Sequence, residues 1–271
     1  MLEFLLPPFI ACLILTGIHA YLGIHVIERK VIFVDLSLAQ VAALGTALGA
    51  VFGYEYGGAV SYSCGLAFTL MGATIFALTR MKDERVPQEA IIGIVYAIST
   101  ALFIIMMDRA PEGAEQIKGM LVGSILFVDW PKIIVTGVLY SIVGFFHYLF
   151  RDKFMTISLE PQKAYDQGIP VRFWDFLFYA SFGFVVTSSV LIAGVLLVFS
   201  YLVAPSVCAI LFSDNFKTRL IIGWSSGFLA SLLGIVASVR FDLPTGAAIV
   251  CSFGVLLVLA GIVKAVQVRV R

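Results

Sequence analysis

Residues 176–212 read FLFYASFGFVVTSSVLIAGVLLVFSYLVAPSVCAILF, and none of these side chains is charged. As an α-helix rising ~1.5 Å per residue, this stretch would reach roughly 55 Å. That length exceeds the roughly 30 Å hydrocarbon core of one bilayer crossing but falls short of two full crossings. The stretch therefore predicts one full transmembrane helix plus a short or broken one, with Ser200 and Pro205 near the irregular part.

The rest of the chain has the same apolar character. Of its 271 residues, 61% are hydrophobic and only 13% are charged, and the mean hydropathy is +1.02. A soluble domain of this length needs a solvated surface that this composition cannot supply, so the bilayer must be the solvent. We predict an all-α fold, a polytopic bundle of eight or nine transmembrane helices that forms one integral-membrane domain over residues 1–271. The candidate spans are Phe4–Ile27, Leu36–Gly53, Ala59–Thr79, Ala90–Met107, Lys132–Phe150, Phe176–Leu197, Phe199–Phe212, Leu220–Val239 and Thr245–Val263.

The positions of the basic residues predict the orientation in the membrane. Loops on the cytoplasmic side carry an excess of Lys and Arg. If the N-terminus lies outside, the inner side receives all of the 18 basic residues except Arg109, Lys118, Lys132 and Arg240. We therefore expect a multi-pass protein of the plasma (inner) membrane with a cytoplasmic C-terminus.

Two hydrophilic connections interrupt the apolar pattern. Asp108–Gln116 is acidic and, in this orientation, lies outside, where a soluble partner could dock. Arg151–Asp175 is longer and mostly polar, carries four basic residues, and lies inside. Within it, Glu160–Gln167 is typical of a short helix, because Pro161 suits a first helical turn. This segment is either an ordinary solvated loop or a contact site for a motor subunit.

Four parts of the chain together resemble the metal-type (ABC-3) permeases of ATP-driven importers, which take up zinc, manganese or iron. The order and spacing of these parts match the family from about residue 10 to 260. The similar segments are FVDLSLAQVAALGTALG (33–49), LVGSILFV (121–128), AYDQGIPV (164–171), and LLVFSYLVAPSVCAIL (196–211) together with GIVASVRFDLPTGAAIV (234–250).

The resemblance implies a type II importer-like permease that works as a homodimer by alternating access. It also implies two cytoplasmic ATP-binding cassette subunits and an extracytoplasmic substrate-binding protein as partners. The chain has no Gly-x-x-x-x-Gly-Lys-(Ser/Thr) phosphate loop, so we expect no catalytic residues, no bound cofactor, and ATP hydrolysis on the separate subunit. We expect no nucleic-acid partner.

The resemblance also assigns residues to the coupling of ATP hydrolysis to transport and to the transport pathway. The cytoplasmic segment at about 151–175 would contact the ATPase through Glu160, Lys163, Ala164, Gly168 and Ile169. In the C-terminal part, Pro205 would break a helix, either as a packed kink or as part of the pathway. Pro244 and Gly246 would mark either the pathway or simply the start of the last span.

The second span departs from the family pattern where a metal ion would pass. Members carry an Asp and a His four residues apart, and alignment places Leu36 and Gln40 at these positions. Asp35 stands one residue early and would point about 100° away on a helix. Asp35, Gln40 and His19 are therefore candidate metal-pathway residues, since ionisable groups inside a membrane are functional candidates. For His19, a hydrogen-bonded core histidine is the simpler interpretation.

The same span carries a face of small residues. Gly45 and Gly49, with neighbouring alanines, would allow another helix to approach closely. Structural packing and a pore-lining role both explain this pattern.

Two other classes of protein remain as alternatives. A secondary transporter or channel would need no ATPase, and inverted repeats with paired broken spans would favour it. A membrane-embedded enzyme would need clustered ionisable residues facing a cavity. The sequence shows no convincing internal repeat, and its spans lack such clusters.

Overall fold

The fold was analysed in a computed structural model that describes residues 2–55, 58–80, 86–108 and 113–270. These residues form α-helices joined by short connections, with one 3₁₀ turn at Ile125–Phe127 and no strand. The helices are α1 (Leu2–Glu28), α2 (Val34–Val51), α3 (Ala59–Leu78), α4 (Gln88–Met107), α5 (Gly113–Val122), α6 (Trp130–Leu149), α7 (Arg151–Leu159), α8 (Pro161–Asp166), α9 (Val171–Ala193), α10 (Val195–Phe212), α11 (Phe216–Phe241) and α12 (Thr245–Val270).

Nine helices of the described ranges are long and apolar enough to cross a membrane, namely α1 to α4, α6 and α9 to α12. Each is at least 18 residues long, close to the length that a hydrocarbon core requires. The all-α polytopic fold is thus confirmed, with the larger of the two span numbers expected from the sequence. Part of the acidic connection Asp108–Gln116 (residues 109–112) lies outside the described residues. So do Lys82, Arg85, Arg109 and Arg271 of the basic residues used to predict orientation.

The break in the long uncharged stretch lies at Gly194, so its predicted position near Ser200 and Pro205 is wrong. Gly194 has φ 76° and ψ 159° and separates α9 from α10. This backbone conformation is open almost only to glycine, because a Cβ would collide with the chain. Pro205 lies inside α10, which continues to Phe212. A proline removes a single backbone donor, and within a packed helical bundle that loss is tolerated.

The α9–α10 turn packs closely against the segment that follows α5. A Cβ added to Gly123 would overlap the carbonyl group of Ala193 and the nitrogen of Gly194. The Ser124 backbone N–H donates to the Ile192 carbonyl at 3.2 Å. The turn therefore depends on two glycines, one for its backbone conformation and one for the space beside it.

The chain divides into two compact units. The first comprises Met1–Ile27, Val122–Tyr140 and Ile192–Arg271, and the second comprises Glu28–Leu121 and Ser141–Leu191. In the first unit, α10, α11 and α12 pack against one another, and in the second unit α2 packs against α3 and α4.

The small-residue face of α2 is used for packing in the second unit. A Cβ on Gly45 would lie 2.6 Å from the Cys64 carbonyl oxygen and 2.8 Å from the Phe68 Cβ. A Cβ on Gly49 would lie 2.9 Å from the Cα of Ser61. The close approach that the sequence predicts is therefore confirmed, and it is made with α3.

The conformation of Gly194 makes a specific stability prediction. Gly194→Ala should destabilise the fold by about 1–3 kcal/mol, because alanine is strained at this φ and ψ. The matched control is Gly261→Ala on α12, where a Cβ meets open space and the backbone is helical. Thermal unfolding of both variants in the same detergent tests this. Equal melting temperatures for Gly194→Ala and the wild type would contradict the prediction.

Candidate functional site

Helix α2 carries three buried polar side chains whose oxygen atoms have no hydrogen-bond partner among the described residues. Asp35, Ser37 and Gln40 are each no more than 3% exposed. Within the part of the chain that the structure describes, both carboxylate oxygens of Asp35, the Ser37 hydroxyl and the Gln40 Oε1 atom lack a partner. Buried polar groups without partners carry a free-energy cost of about 1–3 kcal/mol each. These three groups therefore lower the stability of the fold and leave oxygen acceptors unused among the described residues.

These three side chains do not form one compact cluster. At about 100° per residue, Ser37 and Gln40 lie on neighbouring faces of α2, whereas Asp35 points roughly 140° away from Gln40. His19 belongs to α1 in the first unit, while Asp35 and Gln40 belong to the second unit. Among the residues that the structure describes, no three His, Cys, Asp or Glu side chains come together as a metal site would need.

His19 has the bonding of a core histidine. Its Nδ1 atom lies 2.8 Å from the Leu15 carbonyl oxygen, which accepts the ring proton. The ring also makes an edge-to-face contact with Tyr140, at 6.1 Å between centroids. These contacts fit the simpler interpretation of His19, and its metal-pathway role stays a prediction.

The start of α2 is held by a side chain from α4. The Phe33 backbone N–H donates to the Glu89 Oε1 atom at 2.9 Å. The first amide groups of a helix have no partner within the helix, so an external acceptor fixes its start. Glu89 thus sets the position of the α2 turn that carries Asp35 and Ser37.

The connection Arg151–Asp175 is helical over most of its length. Helix α7 covers Arg151–Leu159, and the predicted short helix is present as α8 with Pro161 in its first turn. Sequence reasoning missed α7 because the segment is polar and lacks a clear apolar period. The two helices pack against each other.

Helix α8 ends in a glycine turn of the Schellman type. The Gly168 N–H donates to the Tyr165 carbonyl and the Ile169 N–H to the Ala164 carbonyl, both at 3.0 Å. Gly168 has φ 68°, the left-handed conformation that this motif requires. The turn directs Ile169 back onto the helix, where it joins a buried cluster with Ile157, Ala164 and Val171.

The five predicted coupling residues therefore divide by position. Ala164 and Ile169 are buried and anchor α8, and Gly168 makes the turn. Glu160 and Lys163 form a 3.0 Å ion pair, and both side chains are more than half exposed. The structure thus exposes the charged pair at α8 and buries the opposite side, and contact of these residues with an ATPase stays a prediction.

A buried ion cluster beside this segment was not predicted from the sequence. The two carboxylate oxygens of Asp175 pair with Arg29 Nη1 and Arg80 Nη1, each at 2.6 Å. The Arg29 Nε atom also donates to the Ser158 hydroxyl at 2.8 Å. One signal was available, because Asp175 directly precedes the uncharged stretch 176–212 and so lies close to the start of a span.

The two arginines of the cluster differ in environment. Burial lowers the pKa of the Arg29 guanidinium, and the neighbouring Asp175 carboxylate opposes this effect. Burial also acts to lower the pKa of Arg80, but attraction to Asp175 prevails and the pKa of Arg80 is raised. An arginine stays protonated in proteins, so both remain cations.

Aromatic rings extend the cluster towards α7. The Arg29 guanidinium lies 4.0 Å from the centre of the Phe178 ring. Phe178 contacts Phe154 of α7, whose ring stacks on His147 at 4.3 Å between centroids. Arg29 is therefore held by its ion pair with Asp175, by its hydrogen bond to Ser158 and by a cation–π contact with Phe178.

The two C-terminal positions Pro244 and Gly246 lie at the start of α12. The Ala248 N–H donates to the Pro244 carbonyl at 3.0 Å, so Pro244 caps the first turn. A Cβ on Gly246 would lie 3.0 Å from the Val122 carbonyl oxygen. These positions mark the start of a helix and a close packing contact, and a pathway role for them stays a prediction, as it does for Pro205.

The fold defines this chain as a polytopic helical membrane protein that places unpaired polar groups on a buried span. The family model described as the ABC 3 transport family matches residues 1–264. The chain therefore belongs to the ABC 3 transport family, and its part in such a system is that of the membrane permease.

Relatives and a solved structure agree with this assignment. The chain is 27% identical over 205 residues to the manganese transport system membrane protein MntC of Listeria monocytogenes, covering 72% of this chain and 71% of that protein. It is 25% identical over 259 residues to a protein of Haemophilus influenzae named "Probable iron transport system membrane protein", covering 92% and 89%. The fold is similar to PsaBC from Streptococcus pneumoniae in complex with Fab, with a TM-score of 0.79, 21% identity, and coverage of 95% of this chain and 90% of that chain.

The unpaired oxygen of Gln40 makes a stability prediction. Gln40→Met keeps the length of the side chain and removes a buried acceptor without a partner, so the melting temperature should not fall. The contrasting variant is Tyr201→Phe, because the Tyr201 hydroxyl is 2.7 Å from the Ser231 hydroxyl. Loss of this hydrogen bond should lower the free energy of unfolding by about 1 kcal/mol. Thermal unfolding in one detergent compares them, and a larger loss for Gln40→Met than for Tyr201→Phe would refute the prediction.

Proposed function

We propose that this chain is the permease subunit of an ATP-driven importer for divalent metal ions, working as a homodimer by alternating access. A cytoplasmic ATP-binding cassette ATPase would supply the energy, and an extracytoplasmic binding protein would deliver the ion. The observation that carries the proposal is the set of buried, unpaired oxygens on α2 in a chain of the ABC 3 transport family.

The chemistry of α2 favours a particular class of cation. Carboxylate, hydroxyl and amide oxygens suit hard cations such as Mn²⁺, whereas imidazole and thiolate suit Zn²⁺. The residues at this position are Asp35, Ser37 and Gln40, without a nitrogen ligand among them. We therefore favour manganese and iron over zinc as cargo, in agreement with the names of the Listeria and Haemophilus relatives.

Because these oxygens point in different directions around α2, they suit transient binding of a passing ion better than tight binding at one fixed site. An ion that meets one or two ligands at a time is held weakly and can leave again. Asp35 and Gln40 face different directions, so the two would act in succession along the pathway. The cargo is the substrate of this process and not a resident cofactor.

Helix α8 is the proposed contact for the ATPase. Its exposed pair Glu160 and Lys163 offers charged groups to a partner, and its buried residues Ala164 and Ile169 transmit force to α7 and α9. A short helix anchored on one face moves as a unit when its other face is pushed.

The ion cluster supports the proposed orientation. Arg29 follows α1, Arg80 follows α3, and Asp175 lies near the start of α9. If the N-terminus is outside, the C-terminal ends of α1 and α3 and the N-terminal end of α9 all lie on the cytoplasmic side. Asp175 brings these three ends together. Nine crossings then leave the C-terminus in the cytoplasm of a cell whose plasma (inner) membrane holds the protein.

The contact with the ATPase is tested by a substitution in the α8 turn. Gly168→Arg should abolish co-purification of the ATPase with the solubilised permease, because it strains the turn and adds a large cation beside the docking face. The matched control is Gly53→Arg, which also replaces a positive-φ glycine in open space but lies at the far end of α2. Retention of the ATPase by Gly168→Arg would count heavily against the proposal.

The pathway is tested by metal uptake. Asp35→Asn and Gln40→Met should each lower manganese accumulation in cells about tenfold or more, since a hard cation loses a ligand at each position. The control is Ser63→Ala on the exposed face of α3, whose hydroxyl donates to the Ala59 carbonyl of the same helix. Cellular manganese, iron and zinc are measured together by mass spectrometry.

Two results would overturn the proposed function. The first is unchanged accumulation of all three metals in cells that lack the chain. The second is uptake into vesicles by the purified permease alone, driven by a proton or sodium gradient, which would instead establish a secondary transporter.

A further inference from the structure

Asp175 is the point at which four separate elements meet. Its carboxylate binds the arginine that follows α1 and the arginine that follows α3. Asp175 itself belongs to α9, and Arg29 is also bonded to Ser158 of α7. The Asp175 side chain thus connects the ends of α1 and α3 to α7 and α9, the two helices that flank α8.

Burial makes these ion pairs strong structural restraints. The side chains of Asp175, Arg29 and Arg80 are 0%, 1% and 17% exposed. A buried charge that loses its partner is costly, because neither water nor another group replaces the interaction. Asp175 therefore requires at least one arginine at all times, but it does not require two.

The two arginines are held unequally. Arg29 is fixed by Asp175, by the Ser158 hydroxyl and by the face of Phe178. Within the described ranges, the hydrogen bond and the ion pair of Arg80 both go to Asp175. Arg80 is also the partly exposed member, so its guanidinium can turn to water when it leaves.

Release of Arg80 would leave a balanced cluster. Asp175 and Arg29 remain as a one-to-one pair, so no carboxylate is left unpaired inside the protein. Two arrangements of similar free energy, one with Arg80 bound and one with Arg80 released, are what a conformational switch requires.

The Arg80 contact lies between the proposed coupling helix and the proposed pathway helix. Trp174, next to Asp175, packs on the cluster of Ala164 and Ile169 that anchors α8. On the other side, Arg80 follows α3, and α3 packs closely on α2 at Gly45 and Gly49. A movement of α8 would therefore reach α2 through Asp175, Arg80 and α3.

We propose that Asp175 is a positioning residue which transmits movement of α8 to α2 and α3, with Arg29 as its permanent partner and Arg80 as the partner that separates during each cycle. This inference rests on the proposed function. It assigns roles to three residues that lie outside both the pathway and the docking face.

The test uses the complete transporter, with ATPase and binding protein, in lipid vesicles. Arg80→Gln should keep assembly and melting temperature close to the wild type, because the Arg29–Asp175 pair persists. The number of manganese ions taken up per ATP hydrolysed should fall about tenfold, within the usual range of coupling between sites. Arg80→Lys keeps the charge and should restore most of this ratio.

Two further variants separate coupling from stability. Asp175→Asn leaves both arginines without a carboxylate and should prevent assembly. Lys132→Gln removes a cation whose 3.9 Å pair with Asp129 is exposed, and it should leave both uptake and hydrolysis unchanged.

The outcomes are distinguishable. A wild-type ratio for Arg80→Gln would overturn the inference while leaving the proposed function intact. Failure of Arg80→Gln to assemble would also overturn it, because the remaining pair would then be insufficient. Absence of ATP-driven uptake by the wild type would instead refute the proposed function. In that case, the melting temperatures of Arg80→Gln and Asp175→Asn would still test whether one arginine satisfies the buried carboxylate.

Discussion

The hydrocarbon core of a bilayer offers no water to pair with polar groups, and this constraint shapes every element of the protein. Backbone N–H and C=O groups must be satisfied within the protein, so the spans are helices. Hydroxyl side chains obey the same rule by bonding to the carbonyl one turn earlier. Thr16, Thr46 and Ser206 donate in this way to Cys12, Ala42 and Leu202, at 2.8 to 3.0 Å.

Two departures from this pattern of paired polar groups support the proposed function and the proposed coupling. On α2, three polar side chains are buried without partners in the described ranges, at a free-energy cost that a passing cation would relieve. At Asp175, the opposite arrangement occurs, with two cations sharing one carboxylate. The oxygens on α2 lack a ligand, whereas Asp175 holds a second arginine that its charge balance does not require. Both arrangements suit a protein that changes conformation. Helix α3 links them, because it packs on α2 and leads directly to Arg80.

Sequence reasoning succeeded where the signal was local. The apolar runs predicted the transmembrane spans, and Pro161 predicted the start of α8, because a proline suits a first helical turn. The small residues Gly45 and Gly49 gave a close helix contact. Reasoning failed where two local signals competed. Pro205 is the stronger helix breaker by propensity, yet the break is at Gly194, because the surrounding helices tolerate one missing N–H while the turn needs a positive φ.

The sequence by itself determined that this is an all-α membrane protein, because composition and the length of apolar runs are properties of the chain alone. The order of its motifs also determined its family. Only the tertiary structure decided which polar groups are paired, since Arg29, Arg80 and Asp175 are separated by up to 146 positions and no periodicity connects them. It likewise showed that the Asp35 carboxylate and the Gln40 Oε1 atom have no partner among the residues it describes, because burial and hydrogen bonding depend on which helices surround a residue and not on the residue itself.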